Sequence, residues 1–231
     1  MNWIDYWNGA PTIYVSERHQ HAHDFDVAFS VIPFIREPGL RVLDFGCGDA
    51  TRAQFIAGRC EELLLWDAAD SVRRRLLARY GGSSKISVLD PAGLASLEPR
   101  SVDLITIISV VQYLDDDALT EVLAHCDRLL SDDGRLVIAD VIPPDNGMVD
   151  DAWQLASFAF REGFLLSALL GMVRTAFSDY ASLRARLRLK TYADTDFKAL
   201  LARNGFAARP REDRQGWPLS RVSPPSRVRQ A

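Results

Sequence analysis

The chain has 231 residues, 48% of them apolar, and a formal net charge of −4. That is enough apolar surface for a full core, in a length that suits one domain over 1–231, since domains run to about 50–250 residues. The acidic balance gives no electrostatic case for nucleic acid, which selects basic faces, so no nucleic-acid partner is expected.

The first ten residues, MNWIDYWNGA, lack a basic start followed by an apolar stretch, so they do not read as a secretory signal. Trp3, Tyr6 and Trp7 precede an Asn8-Gly9 turn and read as packing residues. From Ser16, a candidate N-cap, the residues Ala22, Phe25, Phe29 and Ile32 recur at helical spacing. This helix carries HQHAH (19–23), with three of the four histidines. His19 and His23 fall on one face near Asp26, and His21 falls toward Phe25. Histidines at i and i+4 can ligate a metal, but nothing nearby completes a ligand shell, so a solvated polar face is the expectation and no metal site is assigned.

A repeating pattern follows. LRVLDFG (40–46), ELLLWD (62–67), KISVLD (85–90), VDLITIIS (102–109) and GRLVIADVI (134–142) are short apolar runs that read as strands buried on both faces. Helical patterns separate them at 49–60, 70–81 and 116–134, the second with Asp70 or Ser71 as N-cap and Gly81 or Gly82 as its stop. Strands alternating with helices predict an α/β, doubly wound, mostly parallel sheet. Residues 146–190 break the alternation with apolar helical sequence. Its most apolar window, 153–173, is interrupted by Arg161 and Glu162, which disfavours a spanning helix. The chain resumes with a helix at 194–206 closed by Gly205, then a strand. The tail, with Arg209, Arg211, Arg214 and several prolines, reads as solvated. Cys47, Cys60 and Cys126 have no disulfide or zinc spacing, which fits a reducing, cytoplasmic location.

The chemistry concentrates at VLDFGCGDA (42–50). In an open parallel sheet, ligands bind beyond the carboxyl ends of the strands where strand order reverses. Gly46 and Gly48 permit a tight turn there, and the following helix presents its free N–H groups to the same space. The dinucleotide fingerprint G-x-G-x-x-G/A meets Thr51 at its last position, and Asp49 would face a pyrophosphate. Asp44 is unexplained in an NAD(P) reading and suits a cationic ligand better.

The D-x-G-x-G element of Asp44, Gly46 and Gly48 resembles the first motif of the class I S-adenosylmethionine-dependent methyltransferases, with Ala50 where a third glycine is usual. The resemblance spans 40–142 and, less closely, 191–207. It implies a seven-stranded Rossmann-like sheet and S-adenosyl-L-methionine as cofactor, leaving as S-adenosyl-L-homocysteine. It further implies that Asp44 holds the amino-acid end, that the backbone of Gly46, Cys47 and Gly48 lies against the cofactor, and that Asp67 accepts the ribose hydroxyls. Ala68, Asp90 and Pro91 would border the adenine, with Ile108 and Gln112 at the cofactor mouth. The N-terminal segment would fold over that mouth, bringing Tyr14 to the cofactor and His19 into position as a general base.

The expected organisation is an N-terminal helical cap (1–38), a cofactor-binding core (39–145), a helical lid (146–190) and a C-terminal helix with strands (191–231). IISVVQYL lacks the motif typical of exocyclic-amine nucleic-acid methyltransferases, and no Pro-Cys pair appears, which leaves a small-molecule acceptor; the aromatic residues of the 146–190 insert, Phe158, Phe160 and Phe164 among them, point to an apolar or aromatic one. Two alternatives stand beside this: a catalytically silent S-adenosylmethionine-binding module, and an NAD(P)-dependent enzyme. Peripheral membrane contact through the amphipathic insert and the oligomeric state stay open.

Overall fold

The computed structural model describes residues 3–9, 17–144 and 189–207, without the side chains of 17–19, 22 and 23. Two helices, α1 (Trp3–Asn8) and α2 (Glu17–Val31), precede the sheet. Then follow β1 (Arg41–Phe45), α3 (Ala53–Ala57), β2 (Glu62–Trp66), α4 (Asp70–Tyr80) and β3 (Ile86–Leu89). The second half runs α5 (Pro91–Ser96), β4 (Val102–Ile108), α6 (Asp116–Leu129), β5 (Leu130–Ala139) and α7 (Asp194–Arg203).

The five strands pair in parallel in the order β3-β2-β1-β4-β5. Strand order therefore reverses between β1 and β4, and a crevice is expected at their carboxyl ends. Side chains alternate across the sheet and fill two cores. Leu43, Phe45, Leu64, Ile105 and Ile138 pack with Leu119 and Leu123 of α6 and Phe197 and Leu201 of α7. Val42, Leu63, Leu65 and Leu104 pack on the other face with Val31 of α2, Ile56 of α3 and Leu76 of α4. Both faces are covered, which is why the strands read as continuous apolar runs rather than alternating ones.

Local departures from the sequence expectations have identifiable causes. The helix expected from 49 begins at Ala53, because Ala50 sits in the left-handed region at φ 39° with its carbonyl held by the Tyr80 hydroxyl at 2.7 Å. Helix α4 has Ala69, not Asp70 or Ser71, at its N-cap; Asp67 accepts the Ala69 N–H at 2.8 Å and does a cap's work from two residues upstream. Its stop is Gly81, as expected. Helix α6 ends at Leu129, because the chain passes at once into β5, where Leu130 lies opposite Val102 of β4. On α2 the buried residues are Ala28 and Val31, whereas Phe29 is 56% exposed. Phe25 and Phe29 pack sideways against Phe55 of α3 instead, and the Arg52 guanidinium lies 4.0 Å from the Phe25 ring centre. Ser16, the expected cap of that helix, lies outside the described residues, as do residues 146–188 of the insert and the tail over 208–231 where the last strands are expected.

Helix α1 is anchored at both ends of its short length. Trp3 stacks on Tyr113 with ring centres 6.1 Å apart, and Trp7 meets Tyr113 edge-on at 6.1 Å. Asn8 accepts the Ser71 N–H of α4 at 3.0 Å. The helix thus reaches from the segment after β4 to the segment after β2, and Trp3, Tyr6 and Trp7 pack as expected.

In the glycine turn after β1, Gly46 leaves no room for substitution. Gly46 has φ +76°, and a Cβ there would fall 2.5 Å from Val110 Cγ2. Gly46→Ala is expected to lose about 2 kcal/mol or more of stability in urea unfolding. Val110→Ala in the same chain should return part of that loss by removing the clash.

Candidate functional site

The C-terminal end of β1 carries Asp44, whose side chain points to the same face as its register partner Thr106 on β4. The Thr106 hydroxyl donates to Asp44 Oδ1 at 2.8 Å, and both residues are buried. An ionised carboxylate in this position is poorly solvated. Burial pushes the Asp44 carboxyl from its ordinary 3.8 to about 6, the Thr106 hydrogen bond opposes the rise, and the nearby Asp67 charge adds to it.

The chain then turns through Gly46, Cys47 and Gly48. The N–H groups of Gly46 and Cys47 both donate to the Trp66 carbonyl, at 2.7 and 3.1 Å, fastening the turn to the end of β2. Asp67 accepts the Gly48 N–H at 3.0 Å with one oxygen and the Ala69 N–H at 2.8 Å with the other. Arg73 donates to the carbonyls of Asp67 and Ala68 at 2.7 and 2.8 Å. The Asp67 carboxyl is raised by burial, against the lowering effect of those two backbone bonds and of Arg73. Burial, with Asp44 and Asp67 close by, also pushes the Cys47 thiol well up, so it stays neutral. Unlike Gly46, Gly48 faces open space: a Cβ would meet nothing within 4 Å, though φ +56° still favours glycine.

The outer part of the turn is braced from two sides. Arg75 of α4 pairs with Asp49 at 2.8 Å, and Thr51 donates to Asp24 of α2. From the β4 side, Val110 packs directly on Gly46, and the buried Gln112 follows in a 3-10 turn over Val111–Tyr113. Gln112 Oε1 is buried and has no hydrogen-bond partner among the described residues. Such an atom is costly unless a ligand or water satisfies it.

The structure therefore brings Asp44, Gly46, Cys47 and Gly48 of the turn after β1 together with Asp67 and Ala68 at the end of β2, with Ile108 and Gln112 on the β4 side. Asp90 and Pro91 sit at the end of β3, where Asp90 caps α5 by accepting the Gly93 N–H at 2.6 Å. Tyr14 lies outside the described residues, and His19 is described only as a backbone position in α2. Among the described residues no group of three or more His, Cys, Asp or Glu could hold a metal ion. Sequence reasoning missed Thr106, although a hydroxyl in the apolar middle of VDLITIIS was a visible signal. It also missed the Arg73 clamp, and Val110 as the side chain that forces a glycine at 46.

Comparison with known proteins agrees with this geometry. A family model described as a methyltransferase domain matches residues 43–136. The ubiquinone/menaquinone biosynthesis C-methyltransferase UbiE of Azotobacter vinelandii is 31% identical over 179 residues, covering 73% of this chain and 66% of its own. An uncharacterized methyltransferase of Schizosaccharomyces pombe is 21% identical over 173 residues, covering 70% of this chain and 61% of its own. The chain thus spans less than two thirds of the length of these curated relatives. Among solved structures, a SAM-dependent methyltransferase of Leishmania major aligns over 96% of this chain and 80% of its own, with TM-score 0.62 and 17% identity. Magnesium protoporphyrin IX methyltransferase of Synechocystis PCC 6803 aligns over 93% and 84%, with TM-score 0.56 and 14% identity. At such identities these two likenesses speak for the fold.

The chain carries a methyltransferase domain over 43–136 and has the fold of the class I S-adenosylmethionine-dependent methyltransferases.

The raised Asp44 carboxyl has a stability consequence. Its folded pKa lies above the unfolded value, so the fold holds the proton more tightly, and stability falls as pH rises from about 4 to 6. Asp44→Asn keeps an acceptor for Thr106 and removes the buried charge. In the ligand-free protein it is expected to gain up to about 3 kcal/mol at pH 8 in urea unfolding, with the gain vanishing below pH 4.

Proposed function

We propose that the chain binds S-adenosyl-L-methionine at the Asp44–Gly48 turn, transfers its methyl group to a small apolar or aromatic acceptor, and releases S-adenosyl-L-homocysteine. The observation that carries this reading is Asp44: a buried acid with few compensating bonds, beside a glycine whose outer side is open. Such an acid is costly alone and complementary to an ammonium group.

The residues present fit the cofactor. Asp44 would take its ammonium, the Gly46–Gly48 backbone would border its body, and Asp67, already oriented by two N–H bonds, would accept ribose hydroxyls with its remaining lone pairs. Ala68, Asp90 and Pro91 would border the adenine from the ends of β2 and β3. Gln112 would find a partner there for its buried carbonyl oxygen. The cofactor supplies a methyl group on a sulfonium, which is already activated toward a nucleophile. The protein's task is then to orient the acceptor and exclude water.

The covering elements support a closed site. Helix α1 spans from Tyr113 to Ser71 across the ends of the strands that flank the turn. The two flanks of the insert also meet at this sheet edge: Lys190 N–H donates to the Gln112 carbonyl at 2.8 Å, and Tyr192 N–H to the Ile142 carbonyl at 2.9 Å. An insert anchored at both ends here would serve as a lid that supplies the acceptor pocket. Tyr14 and His19 belong to the same proposal as residues of the N-terminal cover.

Thermal unfolding with added ligands tests the cofactor. S-adenosylhomocysteine should raise Tm by the amount linkage gives, about 2.7 kcal/mol of stability at a hundredfold excess over Kd, and NAD should not. A rise with NAD alone would sink the proposal. The ammonium favours ionised Asp44, so calorimetric affinity for S-adenosylhomocysteine should fall as pH drops through about 6. Asp44→Asn should weaken it about tenfold or more at pH 8 and flatten that dependence.

A further inference from the structure

The ends of β4 and β5 carry a pair of side chains that the cofactor reading does not use. The parallel register sets Ile108 opposite Ala139, so the next residues, Ser109 and Asp140, leave the sheet at the same level. Both adopt left-handed backbone, at φ 57° and 60°. Neither is glycine. Serine is seldom found there, and backbone of this kind clusters at active sites and ligand clamps. The shared turn points both side chains to one place, where the Ser109 hydroxyl donates to Asp140 Oδ2. The Ser109 N–H is fixed on the Ala139 carbonyl at 3.2 Å. Ser109 directly precedes Val110, which packs on Gly46, so the pair stands one residue from the glycine turn, on the β5 side of the crevice.

We propose that Ser109 and Asp140 form the acceptor side of the site, with Asp140 receiving the proton of a hydroxyl acceptor and Ser109 orienting Asp140. This rests on the methyl-transfer reading above. The chemistry selects the hydroxyl. A neutral amine attacks through its lone pair and can lose its proton to water afterwards. A phenol or enol becomes a competent nucleophile only as its proton departs, so a carboxylate at the acceptor has a task. In the transfer, an oxygen lone pair forms the bond to the methyl carbon. The carbon–sulfur pair leaves on sulfur, the O–H pair stays on oxygen, and the proton passes to the Asp140 carboxylate. Asp140 is exposed at the strand end, which leaves its carboxylate reachable by an acceptor.

The test uses the full chain, S-adenosylmethionine labelled in its methyl group, and a panel of naphthols and catechols beside their methyl ethers and tertiary anilines. Asp140→Asn is the informative variant. Asparagine tolerates left-handed backbone and still accepts from Ser109, so the fold and the pair's geometry are retained. Label is expected on the hydroxyl compounds alone. Asp140→Asn should lower kcat on them about a hundredfold or more, with S-adenosylhomocysteine affinity by calorimetry within about twofold of the parent. Ser109→Gly, which suits the backbone and deletes the hydroxyl, should lower kcat by a smaller factor, about tenfold, and leave that affinity unchanged.

Full transfer by Asp140→Asn would overturn the proposal. So would loss of S-adenosylhomocysteine binding in that variant, label on compounds without an acidic hydrogen, or a cofactor-binding protein that methylates none of the hydroxyls. Failure of the parent chain to bind S-adenosylhomocysteine would instead strike the cofactor reading beneath it.

Discussion

A single buried carboxylate organises this molecule. Asp44 ends the central strand of a sheet covered on both faces, and among the described residues one hydroxyl, that of Thr106, is the hydrogen-bond donor given to it. Its placement follows from the parallel register, which sets Thr106 beside it, and from the alternation that sends Leu43 and Phe45 to the opposite core. A fold selected for stability alone would fill this position with an apolar side chain. Keeping an acid there has a cost of a few kcal/mol, and a cationic ligand offsets it.

Around that acid the chain arranges backbone rather than side chains. Gly46 is compelled by Val110, which occupies the space a Cβ would need, while Gly48 is left open. The two glycines thus have different reasons: one closes the turn against β4, and the other admits a ligand. Asp67 joins the two halves of the arrangement. It holds the Gly48 N–H and starts α4 through the Ala69 N–H, so the end of β2 is tied to the glycine turn. Preorganisation of this kind limits what binding must spend on ordering the site.

Much of this was legible from the residues in order. The apolar runs located the five strands among the described residues, and their continuity announced a sheet buried on both faces. D-x-G-x-G and the acids at the ends of the next strands located the crevice. Contacts between distant elements were not legible. Phe29 looked like a core residue by spacing, but the smaller Ala28 and Val31 fit against the sheet and left the phenylalanines to pair with Phe55 across the helix flank. Asp70 looked like a cap, but Asp67 reached the helix first. Ser109 and Asp140 are 31 residues apart and meet only because β4 and β5 share a register. Local pattern reads period and turns; it does not read register, and register decides which polar side chains share a site.

The most direct test is a crystal structure of the chain with S-adenosylhomocysteine bound. The account predicts the ligand's ammonium within hydrogen-bond reach of Asp44, its ribose on Asp67 and its body along the open side of Gly48. A ligand seated elsewhere, or an Asp44 carboxylate left facing only Thr106 with the ligand in place, would contradict it.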